Sequence, residues 1–205
     1  FDNLDPLSTY LGTPGDPARG GLPFAEYQRR QEQHRVAEIY SLLDIPYFIE
    51  RAKLLYGYDD MLVDSGGSLI EVLDPNDPGD LVVRTLTENT LLLYLKGSAD
   101  DAQRLIDRFT ESPKPMYYPP AFLERKWAEY KSAKGIASDD AVDPSDFAVW
   151  GFAELLYDRL PRYQALADNF GYEVDADALA SVRNPHDFNA LVAKAIADRL
   201  DRKSF

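Results

Sequence analysis

Tyr58-Asp59-Asp60-Met61-Leu62-Val63-Asp64-Ser65-Gly66-Gly67-Ser68-Leu69-Ile70-Glu71-Val72 is the stretch whose reading decides the fold. Residues 61–63 are apolar with no polar alternation, and the run ends on an acid followed by small residues. A continuous apolar run bounded by turn signals suits a strand buried on both faces. In a sheet of such strands, ligands meet the loops at the carboxyl ends. Asp64 then stands at that edge, and Gly66-Gly67 lets the backbone come close to a ligand. An acid so placed positions Mg2+ or a water in a phosphate-handling protein, with Ser65 beside it as a substrate contact. The competing reading is a tight turn between two strands, for which Asp-Ser-Gly-Gly is ordinary chemistry.

The whole chain bounds what that stretch can serve. Its 205 residues are enough for a real core, as one domain or a domain with an appendage. The absence of cysteine excludes a disulfide framework, a thiol nucleophile and a cysteine-based metal site, and is compatible with a cytoplasmic home. No apolar run approaches the roughly 20 residues that span a bilayer, so no membrane role is expected. A formal net charge of −13 argues against nucleic acid held on a broad basic face. The N-terminal Phe1-Asp2-Asn3-Leu4 is neither a signal peptide nor a normal start, so the chain reads as processed or truncated.

Working outward, residues 1–23 carry Gly12, Gly15, Gly20 and Gly21 with Pro6, Pro14, Pro17 and Pro23, an irregular arm. It is not a phosphate loop, because no Gly-Lys-Ser/Thr follows. A long helix is expected from Phe24 to about Leu43, with Ala37, Tyr40 and Leu43 on its apolar stripe. Arg29 and Arg30 on that helix suit either a solvated face or a fork onto phosphate oxygens. A second helix runs from Pro46 to Tyr56 and stops at Gly57. Residues 69–73 suggest a second short strand or an extended segment. The acidic loop 74–80 lacks the spacing of a calcium loop and leads instead to a helix capped by Asp80.

Residues 90–96 (TLLLYLK) are β-rich and predict a strand. Ser98 and Asp101 form a capping box for a helix bearing Arg104 and Arg108. Strand, helix, strand, helix is the rhythm of a parallel α/β sheet. The stiff loop 112–120 places Lys114, Tyr117 and Tyr118 either over a ligand or against the next helix. A helix over 121–134 ends at Gly135, and an acidic connector at 136–142 separates it from a helical remainder. There, Asp143 and Pro144 begin one helix, and Pro161 begins another. The domain reading is an α/β core over 1–135 and a helical subdomain over 136–205.

LSTYLGTPGDPARGGLPFAEYQRRQEQHR (7–35), YGYDDMLVDSGGSLIEVLDPNDP (56–78), TLLLYLKG (90–97) and RFTESPKPMYYPPAFLERKWAEY (108–130) carry a resemblance. Through them the chain resembles the distal part of an uncharacterised family of bacterial P-loop ATPase-like proteins. The resemblance implies a helix-rich α/β fold: the remnant of a parallel three-layer P-loop-type sheet with a C-terminal helical extension. It implies Mg2+ and ATP as cofactors, and a nucleotide and an unknown small-molecule or protein acceptor as partners. No GxxxxGK[ST] occurs in the chain, so either the phosphate cradle lies upstream of residue 1, the favoured reading, or this member does not bind ATP in the usual way. In this picture Asp64 is the Walker B-like acid, and Arg104 and Arg108 are lid arginines on the transferring phosphoryl group. Arg29 and Arg30 belong to a substrate-binding helix.

Three functions compete. The first is an ATP-dependent phosphotransferase or ATPase with its catalytic loop upstream. The second is a non-catalytic binding or regulatory module that uses loop 113–120 and the acidic helical tail. The third, a serine hydrolase at Ser65, is disfavoured because the chain has only His34 and His186 and is helix-rich.

Overall fold

Phe24–Leu43 forms α1, and its sequence explains why. It is rich in straight-chain helix formers, and Glu26 with Arg29 and Arg30, then Glu32 with Arg35, pair along its surface at i,i+3 and i,i+4. The structure, a computed structural model, describes residues 10–203. The start of the Gly/Pro arm, with Phe1 to Leu4 and Pro6, lies outside them. The remaining helices are α2 (Ile45–Tyr56), α3 (Leu81–Asn89), α4 (Ala99–Glu111), α5 (Pro120–Lys134), α6 (Pro144–Phe170) and α7 (Pro185–Lys203). Short 3-10 turns occupy Gly67–Glu71 and Ala176–Ser181.

The expected three-layer parallel sheet is not present. The described residues hold a single two-stranded parallel sheet, β1 (Leu93–Lys96) beside β2 (Tyr172–Asp175), with Leu93 opposite Tyr172 and Lys96 opposite Asp175. The helix-rich part of the expectation agrees with the structure. Residues 61–63 form no strand, and Leu62 is 83% exposed. Three apolar residues between Asp59-Asp60 and the Gly66-Gly67 turn are too few to bury two faces. Residues 69–73 are buried, but the backbone at Gly67–Glu71 is a 3-10 turn rather than a strand.

Local stop and start signals held elsewhere. Gly57 and Gly135 close α2 and α5 in the left-handed conformation. The Asp80 carboxylate accepts from the N–H groups of Val82 and Val83 at the start of α3. The Ser98–Asp101 capping box forms in both directions. Pro161 does not start a new helix: α6 runs through it to Phe170. Pro161 and Tyr157, whose carbonyl loses its partner, are both exposed, so solvent takes the freed acceptor.

The chain divides into two compact units. One comprises residues up to Ser41, Asp64–Val72 and Leu105–Asp158. Its core is aromatic: Tyr27, Tyr118, Phe122, Trp127, Tyr130 and Phe147, joined by Leu123, Val142 and Leu155. Phe24 stacks on Trp127 at 4.6 Å, and Phe147 meets Trp127 and Tyr130 edge-on. The Gly/Pro arm is folded onto this unit. Gly15 and Leu22 are joined by a backbone hydrogen bond of 2.9 Å, and Asp16 N–H donates to the Val142 carbonyl at 2.8 Å. The other unit comprises Leu42–Val63, Leu73–Arg104 and the chain from Arg159. In it α2 packs on α3, and α7 packs on β2.

The inward face of α1 departs from the expected stripe. Tyr40 is 64% exposed, whereas Tyr27 and Gln31 are buried and His34 and Glu38 are partly so. That seam has the right spacing for one helix face, yet three of its four residues are polar. A hydrophobicity pattern therefore points to the wrong side.

Candidate functional site

Three of the cations proposed for phosphate, Arg29, Arg30 and Arg104, are held by neighbouring carboxylates. Arg29 donates to both Glu26 oxygens, at 2.8 and 2.7 Å, and Arg30 donates to Glu26 Oε1 at 2.7 Å and to the Tyr10 carbonyl. The two guanidiniums, Arg29 first, pull the Glu26 carboxyl down to about 2. Arg104 donates to Asp101. The Asp101 carboxyl is likewise lowered to about 2, first by the Ser98 backbone N–H and then by Arg104. Arg108 and Lys114 are exposed.

Asp64 does not sit at a sheet edge. Its side chain is exposed and accepts from Gly66 N–H at 3.3 Å, closing an Asx turn whose glycine has φ 51°. Ser65 beside it is half-buried. Among the described residues no hydrogen bond or ion pair joins any two of Arg29, Arg30, Asp64, Ser65, Arg104, Arg108, Lys114 and Tyr117. No group of three His, Asp or Glu side chains among them is placed to hold a metal ion.

Tyr117 and Tyr118 are buried, so this part of loop 112–120 is packed, while residues 112–114 are exposed. Tyr27 Oη and Gln31 Nε2 both donate to the Met116 carbonyl, and Gln31 Oε1 accepts from Tyr118 N–H. Tyr118 then stacks on Phe122 of α5. Tyr117 turns toward α1, where its ring lies 5.0 Å from that of His34. It is 3% exposed, and its hydroxyl has no hydrogen-bond partner among the described residues. Burial, and then the carboxylate of the 7%-exposed Glu71, push the phenol above its ordinary range. It therefore stays protonated at neutral pH and cannot act as a base there. His34 lies 3.8 Å from Glu38, but burial outweighs that carboxylate and lowers the imidazole pKa.

The conspicuous surface lies elsewhere, on α2 and the segment after it. Tyr47, Phe48, Leu54 and Leu55 are exposed at i, i+1, i+7 and i+8, which places them on one side of the helix. Ile45 is buried on the other side. Tyr56, Tyr58, Met61, Leu62 and Val63 extend the exposed apolar run, with Tyr56 and Tyr58 stacked at 5.6 Å. Arg51 falls within the stripe, four residues on from Tyr47. Its guanidinium donates to Tyr47 Oη at 2.8 Å and makes no ion pair among the described residues. Sequence reading missed this surface because it assigned residues 61–63 to a buried strand. The available signal was the two apolar doublets seven residues apart.

No family model, no curated protein and no solved structure matches the chain.

Proposed function

We propose that this chain is a non-catalytic binding module, and that it docks an amphipathic partner segment on the exposed face of α2 and residues 56–63. The observation that carries this reading is the concentration of large exposed apolar side chains there, Leu54 at 74% among them. Isolated exposed apolar residues are ordinary, but a contiguous set marks an interaction surface. Tyr and Arg are enriched in binding hot spots, and Phe at interfaces, and all three stand in this set. The phosphotransferase reading draws its nucleotide from the family resemblance, and Arg29, Arg30 and Arg104, three of the cations it needs, already hold carboxylates. No helix among the described residues is long and apolar enough to cross a membrane. The proposal keeps the cytoplasmic home expected from the sequence.

The test is selection of helical peptides from a display library against the full chain. Synthetic copies of the winners are then measured by calorimetry on wild type and on the Leu54→Ser, Leu55→Ser double variant. Both leucines are exposed, so the variant should keep its circular dichroism and unfolding midpoint. Winners that bind wild type and fail on the folded variant support the reading. Winners indifferent to the variant, or none at all, end it.

A further inference from the structure

We infer that Arg51 makes this surface selective for a partner segment carrying one carboxylate between apolar anchors. The inference rests on the docking reading above and names the chemistry of the occupant.

The argument begins with what docking does to Arg51. Helical spacing puts Arg51 in the middle of the stripe formed by Tyr47, Phe48, Leu54 and Leu55, and the hydrogen bond to Tyr47 Oη with a 5.9 Å approach to that ring holds its guanidinium on that face. Any apolar segment covering the four side chains therefore strips water from Arg51 as well. The Tyr47 hydroxyl satisfies one of five N–H donors. Burying the rest without an acceptor carries the full desolvation penalty of a charged group. A purely apolar partner is thus rejected by the residue in the middle of the surface that would otherwise attract it, which is how specificity is built.

A carboxylate reverses the sign. It accepts two parallel N–H bonds from the guanidinium fork, and exclusion of water by the surrounding rings and leucines strengthens that pair. Arg51 has no competing intramolecular carboxylate to give up among the described residues, unlike Arg29, Arg30, Arg35 and Arg104. Asp44, Glu50, Asp59 and Asp60 are all exposed on the same stretch of chain. They disfavour an anionic lipid surface and favour a partner whose carboxylate is single and central, with neutral or basic flanks.

The same peptide selection decides it. The winning peptides should share one Asp or Glu flanked by apolar residues. The Glu→Gln twin of a winner should bind wild type at least about tenfold more weakly. On Arg51→Met, which keeps the length and apolar stem, the acid peptide and its twin should bind alike. Winners that need Leu54 and Leu55 but carry no acid, or a twin that binds equally well, overturn the inference and leave the docking reading standing. Winners that ignore the double serine variant, or a selection without winners, remove both. Binding to phosphatidylcholine vesicles, or a doubled mass in light scattering, abolished in that variant, would replace the acidic segment with lipid or a second copy. Either result overturns the inference.

Discussion

Gln31 and Tyr118 are joined by a buried hydrogen bond. The Gln31 side-chain carbonyl accepts from Tyr118 N–H at 2.8 Å, while its amide donates to the Met116 carbonyl at 3.1 Å. One 1%-exposed side chain thus satisfies both backbone groups of a proline-rich turn that has no helix or sheet to supply partners. Gln31→Leu keeps the approximate volume and orphans the Tyr118 N–H. We expect a loss of about 2–3 kcal/mol. Both tryptophans, Trp127 and Trp150, lie in this unit, so urea unfolding followed by tryptophan fluorescence reads it directly. An unchanged midpoint would show that the amide bridge is dispensable.

Removal of the Tyr117 hydroxyl should act in the opposite direction. It is buried, faces the Glu71 charge and has no hydrogen-bond partner among the described residues. Tyr117→Phe deletes an unsatisfied polar group and keeps the ring against His34, so stability should rise by up to about 1 kcal/mol. The linkage at high pH has a definite sign. The folded-state pKa lies above the unfolded value of 10.0, so the hydroxyl's contribution is complete below pH 10.0 and is lost as pH rises beyond it. The variant should therefore show a shallower alkaline decline in the same fluorescence assay. A clear destabilisation at neutral pH would be the contrary result.

Two glycines of the arm separate close packing from backbone conformation. Gly15 has φ 135°, and a Cβ there would stand 2.5 Å from the Val142 carbonyl oxygen. Gly20 has φ 81° with nothing within 4 Å of its Cβ position. Gly15→Ala should cost about 2–4 kcal/mol, combining strain and clash, and Gly20→Ala only about 1 kcal/mol. Equal penalties in urea titrations would mean that the contact with Val142 does not hold the arm down.

Arg199 closes the carboxyl end of α6. Its guanidinium donates to the carbonyls of Ala167, Asp168 and Asn169 at 3.0, 3.3 and 2.9 Å and lies over the Tyr172 ring. These are the acceptors a helix leaves open at its C-terminus, where a cation also meets the dipole favourably. Arg199→Met should cost about 1–3 kcal/mol. It should also speed hydrogen exchange at Gly171 and Tyr172 relative to amides in β1. Uniform exchange would count against a local cap.

His34 gives a pH dependence of the reverse sense to Tyr117. Burial lowers its folded-state pKa below the ordinary 6.5, against the opposing pull of Glu38. The unfolded chain then binds the proton more readily, so stability is complete above 6.5 and declines as pH falls from there toward the folded-state value. Glu38, one turn along α1, is the charge that acts on this imidazole, and the Tyr117 ring packs against it. His34→Gln should flatten the change in urea midpoint between about pH 5 and 7, the window of an ordinary histidine. An undiminished slope in the variant would assign the effect to another group.

Local chemistry was legible along the sequence because it depends on neighbours within a turn. Asp80, the Ser98–Asp101 box, Gly57 and Gly135 mark the helix ends the structure shows, and the acid–arginine spacing of α1 announces its pairs. Whether an apolar run is covered depends on residues far away in sequence. Residues 61–63 find no strand to pair with and stay exposed, while TLLLYLK pairs only over Leu93–Lys96, because β2 offers just Tyr172–Asp175. The buried side of α1 eluded pattern reading for the same reason. Gln31 is inside because Met116 and Tyr118 supply hydrogen-bond partners 85 and 87 residues on. The sequence by itself determined most helix starts and stops, Pro161 apart, and the i,i+3 and i,i+4 spacing that pairs the arginines of α1, since those energies are short-range. Only the tertiary structure decided which faces are buried, that Tyr117 is core and Leu54 surface, because burial is a property of what the rest of the chain brings alongside.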